Sequence, residues 1–124
     1  MKIALDAMGG DLSPVEPIKG AVLAAQEFDL EVVLVGPPEI LEAELKKHPG
    51  AGRVSVVAGG DAIAMEEDRI VQAVRQRRDA SINVAMGLVR DGQADAVVSA
   101  GNTGAVMASA FFVLGRMRGI ERPA

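Results

Sequence analysis

Four short aliphatic runs recur along the chain, and each gives way to a turn-forming or acidic break and then to a stretch patterned for a helix. They are residues 2–6 (Lys2-Ile3-Ala4-Leu5-Asp6), 30–35, 53–58 and 94–99, and the last three are rich in Val. Short aliphatic strands separated by helices pair in parallel, because a right-handed crossover returns the chain to the same side of the sheet and lets helices cover both faces. The expected fold is therefore α/β, a three-layer α/β/α sandwich around a parallel sheet.

The helices carry their own signals. Ser13-Pro14-Val15-Glu16 offers a capping Ser, a Pro at the first helical position and a Glu three residues after the cap, so a helix is expected over residues 14–28, with Val15, Ile18, Val22 and Ala25 on its apolar face. Residues 39–47 read as a short helix closed near His48-Pro49-Gly50, and residues 68–78 as another; residues 62–68 are ambiguous. From Ser81, the positions Ile82, Ala85, Met86 and Val89 share one face until Gly92 stops the helix. Residues 103–116 are apolar almost all round, which predicts a helix covered on both sides, with Met86 and Met107 as core filler.

Aliphatic residues alone must build the core, since the chain has three Phe and neither Tyr nor Trp. That lack of stacking platforms, with a net charge of −4 and no basic run, argues against a nucleic-acid partner. The absence of Cys removes disulfides, thiolate metal sites and thiol nucleophiles and fits a reducing, cytoplasmic setting. The first residues form a strand pattern rather than a signal peptide, and the longest apolar stretch, residues 105–114, is about half the ~18 residues that a membrane-crossing helix needs. Residues 119–124 follow a helix where an α/β fold would begin another strand. The 124 residues thus read as the N-terminal portion of a single domain whose remainder is absent, and self-association is expected through the incomplete sheet edge and the apolar 105–114 helix.

In an open parallel sheet the ligand crevice lies outside the carboxyl ends of the strands, which directs attention to the loops after the first and fourth. Ser99-Ala100-Gly101-Asn102-Thr103-Gly104 joins glycine freedom to three polar side chains at a helix start, where free N–H groups favour an anion such as phosphate. The alternative is a tight turn at Gly101 and Gly104 with Asn102 or Thr103 as a cap. Asp6-Ala7-Met8-Gly9-Gly10-Asp11 places two acids around a glycine pair: Asp6 or Asp11 could hold a hydroxyl, orient a base or bind a divalent ion, or could simply accept loop N–H bonds. Met8 on this loop could line an acyl pocket. Neither loop matches the nucleotide or dinucleotide fingerprints. His48, the only His, reads as a solvated helix-end cation, and Arg75, Arg77 and Arg78 as partners of a helix dipole. No triad or metal-ligand cluster can be assembled, so no metal or cofactor is expected.

Together, Asp6-Ala7-Met8-Gly9-Gly10-Asp11 and Ser99-Ala100-Gly101-Asn102-Thr103-Gly104-Ala105 resemble the bacterial phosphate acyltransferases of fatty acid and phospholipid synthesis. Val35-Gly36, Val74-Arg75, Asp79-Ala80-Ser81, residues 94–98 and Gly119-Ile120-Glu121-Arg122-Pro123 extend the resemblance over essentially the whole chain. The resemblance implies a phosphotransacetylase- and isocitrate dehydrogenase-like fold and transfer of a fatty acyl group from acyl carrier protein to inorganic phosphate. It further implies a homodimer in the cytoplasm, either loosely peripheral to the membrane or partnered with a membrane acyltransferase. Asn102 and Asp6 would be its catalytic residues, and Gly9, Gly10, Asp11, Ser99, Gly101, Thr103 and Gly104 its phosphate-binding set. A lysine and further Asn and Asp positions that the family places in its second half have no counterpart here, so these 124 residues alone are expected to be inactive. The competing readings are a phosphotransacetylase-like enzyme using short acyl-CoA and a non-catalytic binding module. On the acyltransferase reading, Asn102→Ala should weaken anion binding and leave folding almost unchanged.

Overall fold

Alternating side chains on the strands decide the layers. In the computed structural model, which describes residues 1–122, β1 (Lys2–Asp6), β2 (Glu31–Gly36), β3 (Val54–Ala58) and β4 (Ala96–Ser99) form one sheet in the order β3-β2-β1-β4, with every neighbouring pair parallel. Leu5, Val32, Leu34, Val54 and Val56 gather with Ile18, Ala21 and Val22 of α1 (Val15–Glu27) and Leu41 of α2 (Pro38–Leu45). The alternate positions Ala4, Val35 and Val97 pack instead with Ala85 and Val89 of α4 (Ser81–Arg90). The period of two therefore sends successive residues to two separate cores, one on each face. Behind α4, a third cluster joins Val74 of α3 (Ile70–Gln76) to Ala105 and Ala108 of α5 (Thr103–Ser109). This is the expected α/β/α arrangement.

Helix ends depart from expectation in instructive ways. Ser13 does not cap α1: its hydroxyl donates back to the Gly9 carbonyl, Pro14 occupies the cap position, and Val15 is half exposed. The 103–116 helix is shorter than expected. α5 runs on into a π-helical turn over Ala110–Leu114, closed by the Gly115 N–H on the Ala110 carbonyl at 3.1 Å, and Gly115 at φ +81° ends it. Nor is that segment covered on both sides, for Met107, Phe111, Phe112 and Leu114 are all exposed. Met86 is buried as core filler and Met107 is not, because α3 and α4 pack against only part of the circumference of α5.

Residues 62–68 form no regular element, although Ile63 is buried among the α3–α5 residues. Of the terminal motif Gly119-Ile120-Glu121-Arg122-Pro123, Pro123 lies outside the described residues. Among the described residues no helix is long and apolar enough to cross a membrane.

Candidate functional site at the carboxyl ends of β1 and β4

The chain moves outward from β1 through β2 to β3, then crosses back to place β4 on the other side of β1. The order thus reverses beside β1, and at such a switch point the loops diverge and open a crevice. Both glycine-rich loops emerge there, and strand register decides which side chains meet. Asp6 stands opposite Ser99 in the β1–β4 ladder. The Ser99 hydroxyl donates to Asp6 Oδ2 at 2.8 Å and accepts the Gly101 N–H at 3.1 Å, while Asp6 Oδ1 accepts the Met8 N–H at 3.2 Å. A carboxylate only 2% exposed is thereby held by both loops at once.

The glycines make this contact possible. A Cβ on Gly9 would stand 2.7 Å from Asp6 Oδ2, 2.8 Å from Ser99 Oγ and 2.9 Å from the Gly101 nitrogen, and one on Gly101 would stand 3.1 Å from the Gly9 Cα. Gly10 sits at φ +106° against Ala100. The backbones of the two loops are therefore in direct contact.

Asn102 is buried and occupied. Its Oδ1 accepts the Ala105 N–H at 3.1 Å as the cap of α5, and its Nδ2 donates to the Ala64 and Met65 carbonyls at 3.0 and 3.3 Å. The cap that sequence reasoning offered as the alternative is thus present, together with a tether to residues 64 and 65 that no sequence signal announces. The N–H groups of Thr103 and Gly104 have no acceptor among the described residues, and the Thr103 side chain is exposed. A Cβ on Gly104 would stand 2.8 Å from Ile70 Cδ1, so this glycine also lets α5 approach α3.

Asp11 is exposed and, with Asp6, Gly9, Gly10, Ser99 and Ala100, borders one end of a groove of about 770 Å³. Its walls are apolar, formed by Ile3, Leu5 and Val98 of the sheet face that α1 leaves open and by Ala21, Ala24 and Phe28. Met8 takes no part in that groove: it packs with the α1–α2 core, near enough to Gly36 that a Cβ there would stand 2.8 Å from Met8 Cγ.

The remaining candidates fall elsewhere. His48 is only partly exposed, with Nε2 at 3.7 Å from Glu44, rather than freely solvated. Arg77 donates to the Asp61 and Ala62 carbonyls at 3.1 and 3.3 Å, bracing the loop after β3. Sequence reasoning missed Asn83. Buried in α4, it donates to the Val74 and Arg77 carbonyls, each at 2.8 Å, and accepts the Ser109 hydroxyl at 2.6 Å. Its only sequence signal was a polar residue beside the apolar positions of an amphipathic helix. No cluster of three or more His, Asp and Glu placed to hold a metal occurs among the described residues.

Comparison with known proteins agrees along the full sequence. The family model described as "Fatty acid synthesis protein" matches residues 1–124. The chain is 53% identical over 124 residues to the phosphate acyltransferase of Pelotomaculum thermopropionicum, covering 100% of this chain and 36% of that protein. It is 54% identical over 123 residues to the one from Synechococcus elongatus, covering 99% and 35%, and 48% identical over 124 residues to one from Desulfitobacterium hafniense, covering 100% and 37%. The chain thus spans about a third of the length of these curated relatives. With the model matched over residues 1–124 and identities near one half, the chain belongs to the fatty acid synthesis protein family.

Proposed function

We propose that this chain forms the phosphate-binding part of an acyltransferase that moves a fatty acyl group from acyl carrier protein to inorganic phosphate. The observation that carries the reading is the junction of the two glycine loops, where Asp6, Ser99, Gly9 and Gly101 meet beside the N–H groups of Thr103 and Gly104, which have no acceptor among the described residues. A phosphate oxygen held there attacks the thioester carbonyl. The new C–O bond forms, the C–S bond breaks, and the carrier's thiolate leaves and takes up a proton. The protein needs only to hold and orient an oxyanion, a task for fixed backbone donors.

In this reading Asp6 and Ser99 lock the two loops in register, and Gly9, Gly10 and Gly101 let the two loop backbones meet beside the anion. Asn102 sets the first turn of α5, with Thr103 and Gly104 supplying donors. Asp11, at the exposed mouth, orients the incoming group. The apolar groove that ends at these loops favours a long acyl chain over the runner-up, a phosphotransacetylase-like enzyme using short acyl-CoA. A homodimer belongs to the same reading.

The test is acyl phosphate formation by a polypeptide of the relatives' length that carries these residues, supplied with phosphate and either palmitoyl-acyl carrier protein or acetyl-CoA. Turnover with the carrier substrate alone is expected. Equal or better turnover with acetyl-CoA would replace this reading with the runner-up, and none with either donor would leave a binding module.

A further inference from the structure

We propose that a groove on the outer surface of α3, α4 and the π-helical turn docks an acidic amphipathic helix of a partner protein. The groove has a volume of about 620 Å³ and shares no residue with the glycine-loop junction. Val84, Leu88, Phe112 and Val113 supply its apolar lining, and Arg75 and Arg78 are exposed cations at its border.

Neither Arg75 nor Arg78 has an acidic partner among the described residues, whereas Arg90, at the same groove, is held by Asp91 through two bonds of 2.8 and 3.2 Å. The Arg75 guanidinium lies 5.6 Å from the centroid of the Phe112 ring, which fixes it over the apolar surface. Residues 1–68 hold five Lys and Arg against thirteen Asp and Glu, a net −8, and residues 69–124 hold eight against four, a net +4. The segments that build the groove, residues 74–91 and 112–113, hold four Arg against two Asp, a net +2 in a chain that is −4 overall. Complementarity selects a partner with a ridge of apolar side chains flanked by carboxylates, in the helix-in-groove mode. A lipid surface fits less well, because a flat bilayer cannot fill a recessed floor.

The probe is a fluorescent, designed helix of about 18 residues with Leu along one face and Glu on the others, beside a twin with Lys in place of Glu. Anisotropy titration of the 124-residue chain is expected to show salt-sensitive binding of the Glu peptide alone, with amide shifts in 15N spectra confined to residues near 74–91 and 112–113. Arg75→Glu with Arg78→Glu should weaken that binding by roughly tenfold or more while thermal melts stay unchanged, since both side chains are exposed. The single variant Arg78→Glu, expected to act in the same direction, serves if the double variant melts early. Binding that survives charge reversal, or no binding of the Glu peptide, overturns the proposal. So does co-sedimentation with phosphatidylglycerol vesicles abolished by the same variants when the peptide does not bind. Groove-dependent self-association of the chain that excludes the peptide would overturn it as well, by making a second copy the occupant.

Discussion

Asp6 shows how few residues hold the site together. Ser99→Ala removes the hydroxyl that satisfies both Asp6 Oδ2 and the Gly101 N–H, leaving a buried carboxylate oxygen and a part-buried N–H short of a partner. A loss of about 1–3 kcal/mol is expected, read as a lower midpoint in urea at unchanged slope. An unchanged midpoint would mean that the loops are not joined through this serine. Asn102 is a sharper case, because the geometry revises the expectation that Asn102→Ala leaves folding alone. Ala deletes the cap of α5 and both bonds to residues 64 and 65, so a loss of at least about 1 kcal/mol is expected. Asn102→Asp keeps the capping oxygen and loses the two donors. If the cap alone matters, Asp will melt like the parent; melting like Ala would assign the effect to the tether.

At the level of elements, the stability of the α3–α4–α5 layer turns on Asn83 rather than on apolar packing alone. Asn83→Leu fits the cluster in polarity but strands the Ser109 hydroxyl and the Val74 and Arg77 carbonyls. It is expected to cost about 2–4 kcal/mol, and the paired change with Ser109→Ala should recover part of that, a coupling that a double-mutant cycle measures. Strictly additive losses would show that the two side chains act separately. Gly104→Val presses on the same layer, because its Cβ meets Ile70 Cδ1 at 2.8 Å, and about 1–3 kcal/mol of destabilisation is expected. Ile70→Ala in the same chain should relieve it, as thermal melts would register. No relief would place the strain in the helix backbone instead.

For the molecule as a whole, acid sensitivity follows from three exposed ion pairs. The Arg53 guanidinium beside Asp29 holds that carboxyl below its ordinary range; Lys47 does the same for Glu44 against an opposing effect of burial, and Arg90 for Asp91. A carboxyl with a lowered folded pKa stabilises above its unfolded pKa, and that contribution disappears as pH falls through the folded value. The melting temperature should therefore be flat in this respect above about pH 5 and should fall only in more acid solution. Because all three pairs face solvent, Asp29→Asn should shift the acid limb only slightly, and the shift should vanish in high salt. A large loss at neutral pH would show Asp29 supporting something other than this pair. The free edge of β4 carries a separate expectation of self-association, detectable by sedimentation equilibrium. A monomer at high concentration would remove it.

Local chemistry was written in the sequence wherever neighbours in the chain decide the outcome. Aliphatic runs broken by turn residues specified four strands, helical spacing specified the face of Ile82, Ala85 and Met86, and Gly92 stopped that helix at φ +73°. The parallel, three-layer arrangement followed, since strands joined by helices have few other ways to bury both faces. The glycine loops could be named as the candidate site because the carboxyl ends of such strands are where a crevice opens. Distance along the chain hid the rest. The register that sets Asp6 opposite Ser99 spans 93 residues, and the tether from Asn102 to residues 64 and 65 crosses to a segment with no pattern of its own. Ser13 satisfied every local rule for a cap, yet the Glu16 N–H that it would accept goes to the Leu12 carbonyl at 3.1 Å, while its own hydroxyl donates to the Gly9 carbonyl. Propensity and periodicity act among neighbours, whereas a hydrogen bond goes to whichever partner the folded backbone brings within about 3 Å, and only the tertiary structure decides that.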